Sequence, residues 1–87
     1  MTIPFALESR VFLRALQELS VELAFVQDLE DGRKFVVARY GYEEFDFLVA
    51  AEGEFCSPGQ VLEVCVGLRV PLDDVRRVVT DAPWRRR

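Results

Sequence analysis

Apolar and polar positions alternate most clearly between Val21 and Ala51. Val21, Leu23 and Phe25 are interleaved with Glu22, Ala24 and Val26, the two-residue period of a strand with one buried face. Glu30-Asp31-Gly32 supplies turn chemistry, since Gly accepts positive φ and Asp tolerates tight local hydrogen bonding. Lys34 to Tyr40 is rich in β-branched and aromatic residues, and Tyr40-Gly41-Tyr42 turns the chain again. Phe45, Phe47 and Val49 then alternate with Asp46, Leu48 and Ala50. The pattern predicts three adjacent antiparallel strands at about 21–29, 33–40 and 44–52.

The period changes upstream. Leu7, Val11, Phe12, Ala15, Leu16 and Leu19 share one stripe of a helix expected over about 5–20, with Pro4 suited to its first turn. Only Leu19-Ser20-Val21 separates this helix from the first strand, so the two belong to one unit.

Downstream, Glu52-Gly53-Glu54 and Cys56-Ser57-Pro58-Gly59 read as a loop. Leu62, Val64, Val66, Leu68 and Val70 alternate with Glu63, Cys65, Gly67 and Arg69, and the valines and internal Gly disfavour a helix. A fourth strand is expected at about 60–70. The next element, 72–80, is open: Asp73 and Asp74 suit a helix N-terminus, whereas Val75, Val78, Val79 and Thr80 are β-branched and Pro83 stops the segment early. A short fifth strand at 75–80, followed by a tail over 81–87, is the reading adopted. The predicted class is mainly β: one domain over 1–87, with an N-terminal helix and then a small, strongly bent five-stranded antiparallel sheet or barrel.

Composition narrows the setting. With half its residues apolar, the 87-residue chain can fold as one globular domain and is not a disordered segment. No apolar run approaches the ~20 residues of a membrane span, so no membrane partner is expected. The start lacks a basic n-region, and Arg10 and Arg14 interrupt the next apolar stretch, so no signal peptide is expected. Two cysteines make neither a metal-type pair nor a disulfide scaffold, and a reduced, cytoplasmic location is expected. The net charge of −4 argues against a protein that coats nucleic acid non-specifically.

Catalysis is not expected. The chain has no histidine, which removes the commonest general base, the His-dependent triads and most metal sites. No cofactor or metal is expected. Glu43, Glu44, Asp46, Glu52, Glu54, Asp73 and Asp74 read as a solvated acidic surface. Cys65 reads as a small half-buried core residue, and Cys56 as the more exposed thiol.

Three short stretches carry a family resemblance. Phe12-Leu13-Arg14-Ala15-Leu16 runs directly into Val21-Glu22-Leu23, Asp31-Gly32-Arg33-Lys34-Phe35 opens a strand, and Val75-Arg76-Arg77-Val78-Val79 precedes Pro83. In this order they resemble the Sm-like (LSm) family, its Hfq-like members in particular, over about 12–83. The resemblance implies a homo-oligomeric ring that binds single-stranded RNA, with the fourth strand of one copy pairing with the fifth of the next. Between those strands the family carries a Tyr-Lys-His stretch that binds RNA, and here Pro71-Leu72-Asp73-Asp74 takes its place.

Candidate RNA contacts are Tyr40 and Tyr42 for base stacking and Arg69, Arg76 and Arg77 for phosphates, with the Trp84 to Arg87 tail as an addition. Packing of the tyrosines over a barrel mouth is the competing reading. Two functions therefore stand: a non-enzymatic Sm-like RNA-binding protein in post-transcriptional regulation, or a small acidic adaptor that uses Glu43–Asp46 and Asp73–Asp74 against a basic protein. A helix-turn-helix over 61–79 is a third reading, opposed by the alternation from Leu62 to Val70.

Overall fold

The computed structural model describes residues 3–81. In chain order the elements are β1 (Leu7–Glu8), α1 (Ser9–Glu18), β2 (Glu22–Asp28), β3 (Lys34–Tyr40), β4 (Glu43–Val49), β5 (Phe55–Cys56), α2 (Pro58–Leu68) and α3 (Leu72–Asp81). Strands β2-β3-β4 form one antiparallel meander, and β1 pairs with β5 in a separate two-stranded sheet. The expected five-stranded Sm-like sheet or barrel is not what forms. Three helices and two small sheets replace it, and the sheets do not close.

The first correction concerns α1. It starts at Ser9, because Leu7 and Glu8 are held extended opposite Cys56 and Phe55. Glu8 then caps the helix, its carboxylate accepting from the N–H groups of Arg10 and Val11. The helix ends where Ser20 turns left-handed at φ 69 and the Val21 N–H reaches back to the Leu16 carbonyl at 2.9 Å.

The larger correction concerns 60–70 and 75–80, which are helical. Ser57 accepts from the Gln60 N–H at 3.1 Å and Pro58 occupies the first turn, so α2 has an ordinary helix start. Val61, Val64, Cys65 and Leu68 are its buried residues and have helical spacing. Arg69 closes it in the left-handed region at φ 57, with the Val70 N–H donating to the Cys65 carbonyl. In α3, Asp73 and Asp74 lie in the first turn, and Val75 and Val79 face the core. Burial of these valines overrides their modest helix propensity.

The core sits between the helices and one face of the meander. Phe12, Ala15 and Leu16 of α1, Val61, Val64 and Leu68 of α2, and Val75 and Val79 of α3 meet Val36, Ala38, Phe47 and Val49 of the sheet. Direct opposition sets Val36 against Phe47 and Ala38 against Phe45 on this covered face. Register slips between Leu23 and Phe25, leaving Ala24 as the extra residue of a β-bulge. Leu23 and Val26 therefore lie opposite Ala38 and Val36 on the covered side, while Phe25 lies opposite Val37 on the other. The bulge overturns the expectation that Leu23 and Phe25 share a face.

Candidate functional site

The outer face of the meander has no layer over it among the described residues. Three cross-strand rows compose it: Glu22, Arg39 and Glu44; then Phe25, Val37 and Asp46; then Gln27, Phe35 and Leu48. Four apolar side chains thus run diagonally across the face. Phe25 is 51% exposed and Leu48 39% exposed, whereas Phe35 and Val37 are half-buried by their neighbours. The Phe25 and Phe35 rings meet edge to face at 6.4 Å.

Charge frames this apolar strip. Arg39 Nε donates to Glu44 Oε2 at 2.8 Å, with the Glu22 carboxylate also acting on the guanidinium. Asp46 stands beside Val37 without an ion pair among the described residues. The face therefore carries three carboxylates against one guanidinium, so its field favours a cationic group. Contiguous exposed apolar surface with a polar rim is the usual form of a protein-docking site.

The two edges of the sheet differ. At β4 the Gln60 side-chain amide of α2 donates to the Leu48 carbonyl, which occupies one acceptor of that edge. At β2 nothing among the described elements pairs on the outside, and Ala24, Phe25, Val26 and Gln27 are all exposed.

The expected RNA contacts do not gather on one surface element. Tyr40 is half-buried against the core, Tyr42 is fully exposed past Gly41 at φ 61, and Arg69 pairs with Glu43 at 3.3 Å near the same turn. Arg76 and Arg77 belong to α3, where Arg76 lies over the Phe5 ring at 5.9 Å and Arg77 pairs with Asp74 at 3.0 Å. The expected acidic patch divides as well. Glu44 and Asp46 lie on the outer face, Glu43 faces Arg69, and Asp73 and Asp74 start α3. Trp84 and the arginines after it lie outside the described residues.

The helical periodicity required by a helix-turn-helix is present over 58–81, contrary to the expectation from alternation. The start of its second helix, where base contacts are made in that motif, carries Asp73 and Asp74, which phosphates would repel. A hollow of about 220 Å³ between Phe5, Arg76, Val79 and Thr80 falls below the ~300–1,000 Å³ of typical small-molecule sites.

Both thiols are free and buried, so Cys56 is not the exposed candidate expected. Burial pushes Cys65 up to about 11 and raises Cys56 above its ordinary range, which keeps both protonated at neutral pH. Among the described residues no group of three or more Cys, Asp or Glu is placed to hold a metal ion. Among them, too, no helix is long and apolar enough to cross a membrane.

No family model, curated protein or solved structure matches the chain. Function has to be argued from the surface itself. Of the residues on the outer face, sequence reasoning singles out only the carboxylates Glu44 and Asp46 as binding residues. It gives Phe25, Phe35, Val37 and Leu48 no role beyond building strands. The bulge at Ala24, which sends Phe25 outward, leaves no signal in the alternation itself.

Proposed function

We propose that this protein is a non-enzymatic interaction module that takes a basic protein partner on the open face of its meander. The observation that carries this reading is the uncovered strip of Phe25, Phe35, Val37 and Leu48, framed by Glu22, Glu44 and Asp46. Burial of such a strip supplies non-directional attraction at about 25 cal/mol per Å². The carboxylates add orientation and select for positive charge. Two buried free thiols fit a reducing, cytoplasmic setting.

The RNA-binding ring ranks below this reading. Its strand-to-strand ring contact needs a fourth and fifth strand, and those segments are α2 and α3. The residues expected to contact RNA are divided between the β3–β4 turn and α3, where Arg69 and Arg77 are engaged by carboxylates.

Affinity selection from a random 12-residue peptide library on immobilised protein tests the reading, with oligo-U as competitor. The expected result is enrichment of peptides that combine Lys or Arg with apolar residues and are insensitive to oligo-U. Enrichment no greater than on a bare surface, or displacement by oligo-U, would overturn it.

A further inference from the structure

We infer that the partner joins the sheet as an extended strand alongside β2, through a segment with apolar residues at its centre and Lys or Arg at its flanks. This rests on the protein-binding reading above and specifies its geometry.

The first observation is that β2 exposes apolar side chains on both sides of the sheet. Phe25 is 51% exposed on the outer face, and Val26 is 44% exposed on the side where the helices lie. A helix laid across the outer face covers Phe25 and leaves Val26 in water. A neighbour in the plane of the sheet covers both at once, because its own side chains alternate between the two faces.

The second observation is the asymmetry of the edges. Gln60 occupies the Leu48 carbonyl on the β4 edge, whereas β2 is the outermost strand on its side with no described element beyond it. Phe25 to Asp28 runs in unbroken register opposite Val37 to Lys34, so the stretch beyond the bulge is a regular template for a further strand.

The third observation is charge, and it separates a foreign strand from a second copy. From Glu22 to Asp31 the chain carries Glu22, Asp28, Glu30 and Asp31 and no cation. Two β2 strands paired antiparallel about Phe25 would set each Glu22 opposite the other copy's Asp28, a like-charge opposition that disfavours the pairing. A strand with cations at its flanks meets carboxylates at both ends of β2 instead. Asp28 is ion-paired with Lys34 at 2.5 Å, but its side chain stays 77% exposed, and an exposed pair of this kind is weak enough to exchange for a cation of the added strand.

The experiment uses one peptide enriched from the 12-residue library and measures its affinity for the wild type, Phe25→Lys, Val26→Lys and, as a control on α2, Val66→Lys. Strand addition predicts a loss of about tenfold or more with both Phe25→Lys and Val26→Lys and a change within about threefold with Val66→Lys, which is 68% exposed away from β2. It also predicts slowed amide exchange in β2 when the peptide is bound, a readout independent of the variants. Loss with Phe25→Lys but not Val26→Lys would overturn the strand inference while leaving the open-face reading intact. Indifference to both, or an equal loss with Val66→Lys, would remove both. Light scattering completes the test: a dimer of the free protein that Val26→Lys dissociates would assign the β2 edge to a second copy and overturn the foreign strand.

Discussion

Gly67 and Phe45 meet where α2 crosses β4, so closely that a Cβ on Gly67 would stand 2.5 Å from Cδ1 of the Phe45 ring. Gly67 is helical, and its lack of a side chain sets the distance between helix and sheet. Phe45 cannot easily yield, because it stacks on Phe47 at 6.1 Å, and Phe47 in turn contacts Phe12 at 6.4 Å. Gly67→Ala therefore destabilises by about 1–3 kcal/mol through overpacking. In an exposed helix the same change would stabilise by roughly 1 kcal/mol. Urea denaturation gives the sign, and a gain in stability would contradict the packing. Combining Gly67→Ala with Phe45→Leu should cost less than the two single changes together.

Glu8 ties the start of α1 to the 51–54 loop. Its Oε2 accepts from the Gly53 N–H at 3.0 Å, and the neighbouring Ser9 hydroxyl donates to the Ala51 carbonyl at 3.2 Å. Partial burial pushes the carboxyl up, but N–H donors from Arg10, Gly53 and Val11 outweigh it and leave its pKa below the ordinary 4.5. The ionised cap thus contributes fully above about pH 4.5, and its advantage fades as pH falls through the lowered folded value. Glu8→Ala should cost about 0.5–2 kcal/mol at neutral pH. Denaturation at a series of pH values should show the gap to wild type constant above pH 4.5 and narrowing below it.

Arg69 holds a left-handed φ of 57 at the end of α2, a position where a non-Gly residue costs about 1–2 kcal/mol. Gly removes that cost but gives back roughly 0.5–1 kcal/mol in chain entropy. The Arg69–Glu43 pair, at 79% and 39% side-chain exposure, offsets little. Arg69→Gly should raise stability by about 0.5 kcal/mol, which shows as a higher urea midpoint at unchanged slope. A drop beyond about 1 kcal/mol would mean that the ion pair anchors the β3–β4 turn.

Cys56 and Cys65 should resist a thiol reagent in the native protein at pH 8 and react together once denaturant is added. Because the folded Cys65 pKa is near 11 against an ordinary 9.0, the unfolded chain releases protons first as pH rises. Stability should fall across the interval between those values. Reaction of either thiol in the native protein faster than global unfolding would contradict their burial.

How far the fold was legible depended on which elements had one decisive period. The meander was readable because Phe45, Phe47 and Val49 alternate with Asp46 and Leu48, and because Lys34 to Tyr40 is rich in β-branched and aromatic residues between two turns. Segment 58–68 satisfied two periods at once. Leu62, Val64, Val66, Leu68 and Val70 match a strand, whereas Val61, Val64, Cys65 and Leu68 match a helix, and only burial decides between them. Ser57-Pro58, a cap followed by a first-turn proline, was the local signal that favoured the helix. In α3, Asp73 and Asp74 gave the same kind of signal, but the valines masked it. The open face was less legible still. Had 60–70 and 75–80 been strands, the sheet would have curled over its own apolar residues. With both segments packed as helices on one side, Phe35, Val37 and Leu48 are left on the other.

The most direct measurement is amide-shift mapping of the isotopically labelled protein titrated with an enriched basic peptide. The account predicts shifts concentrated along Glu22 to Asp28 and on Phe35 and Val37, weakening steeply as salt rises. Shifts confined to α2 or α3, or none at concentrations where the peptide is retained on the immobilised protein, would contradict it.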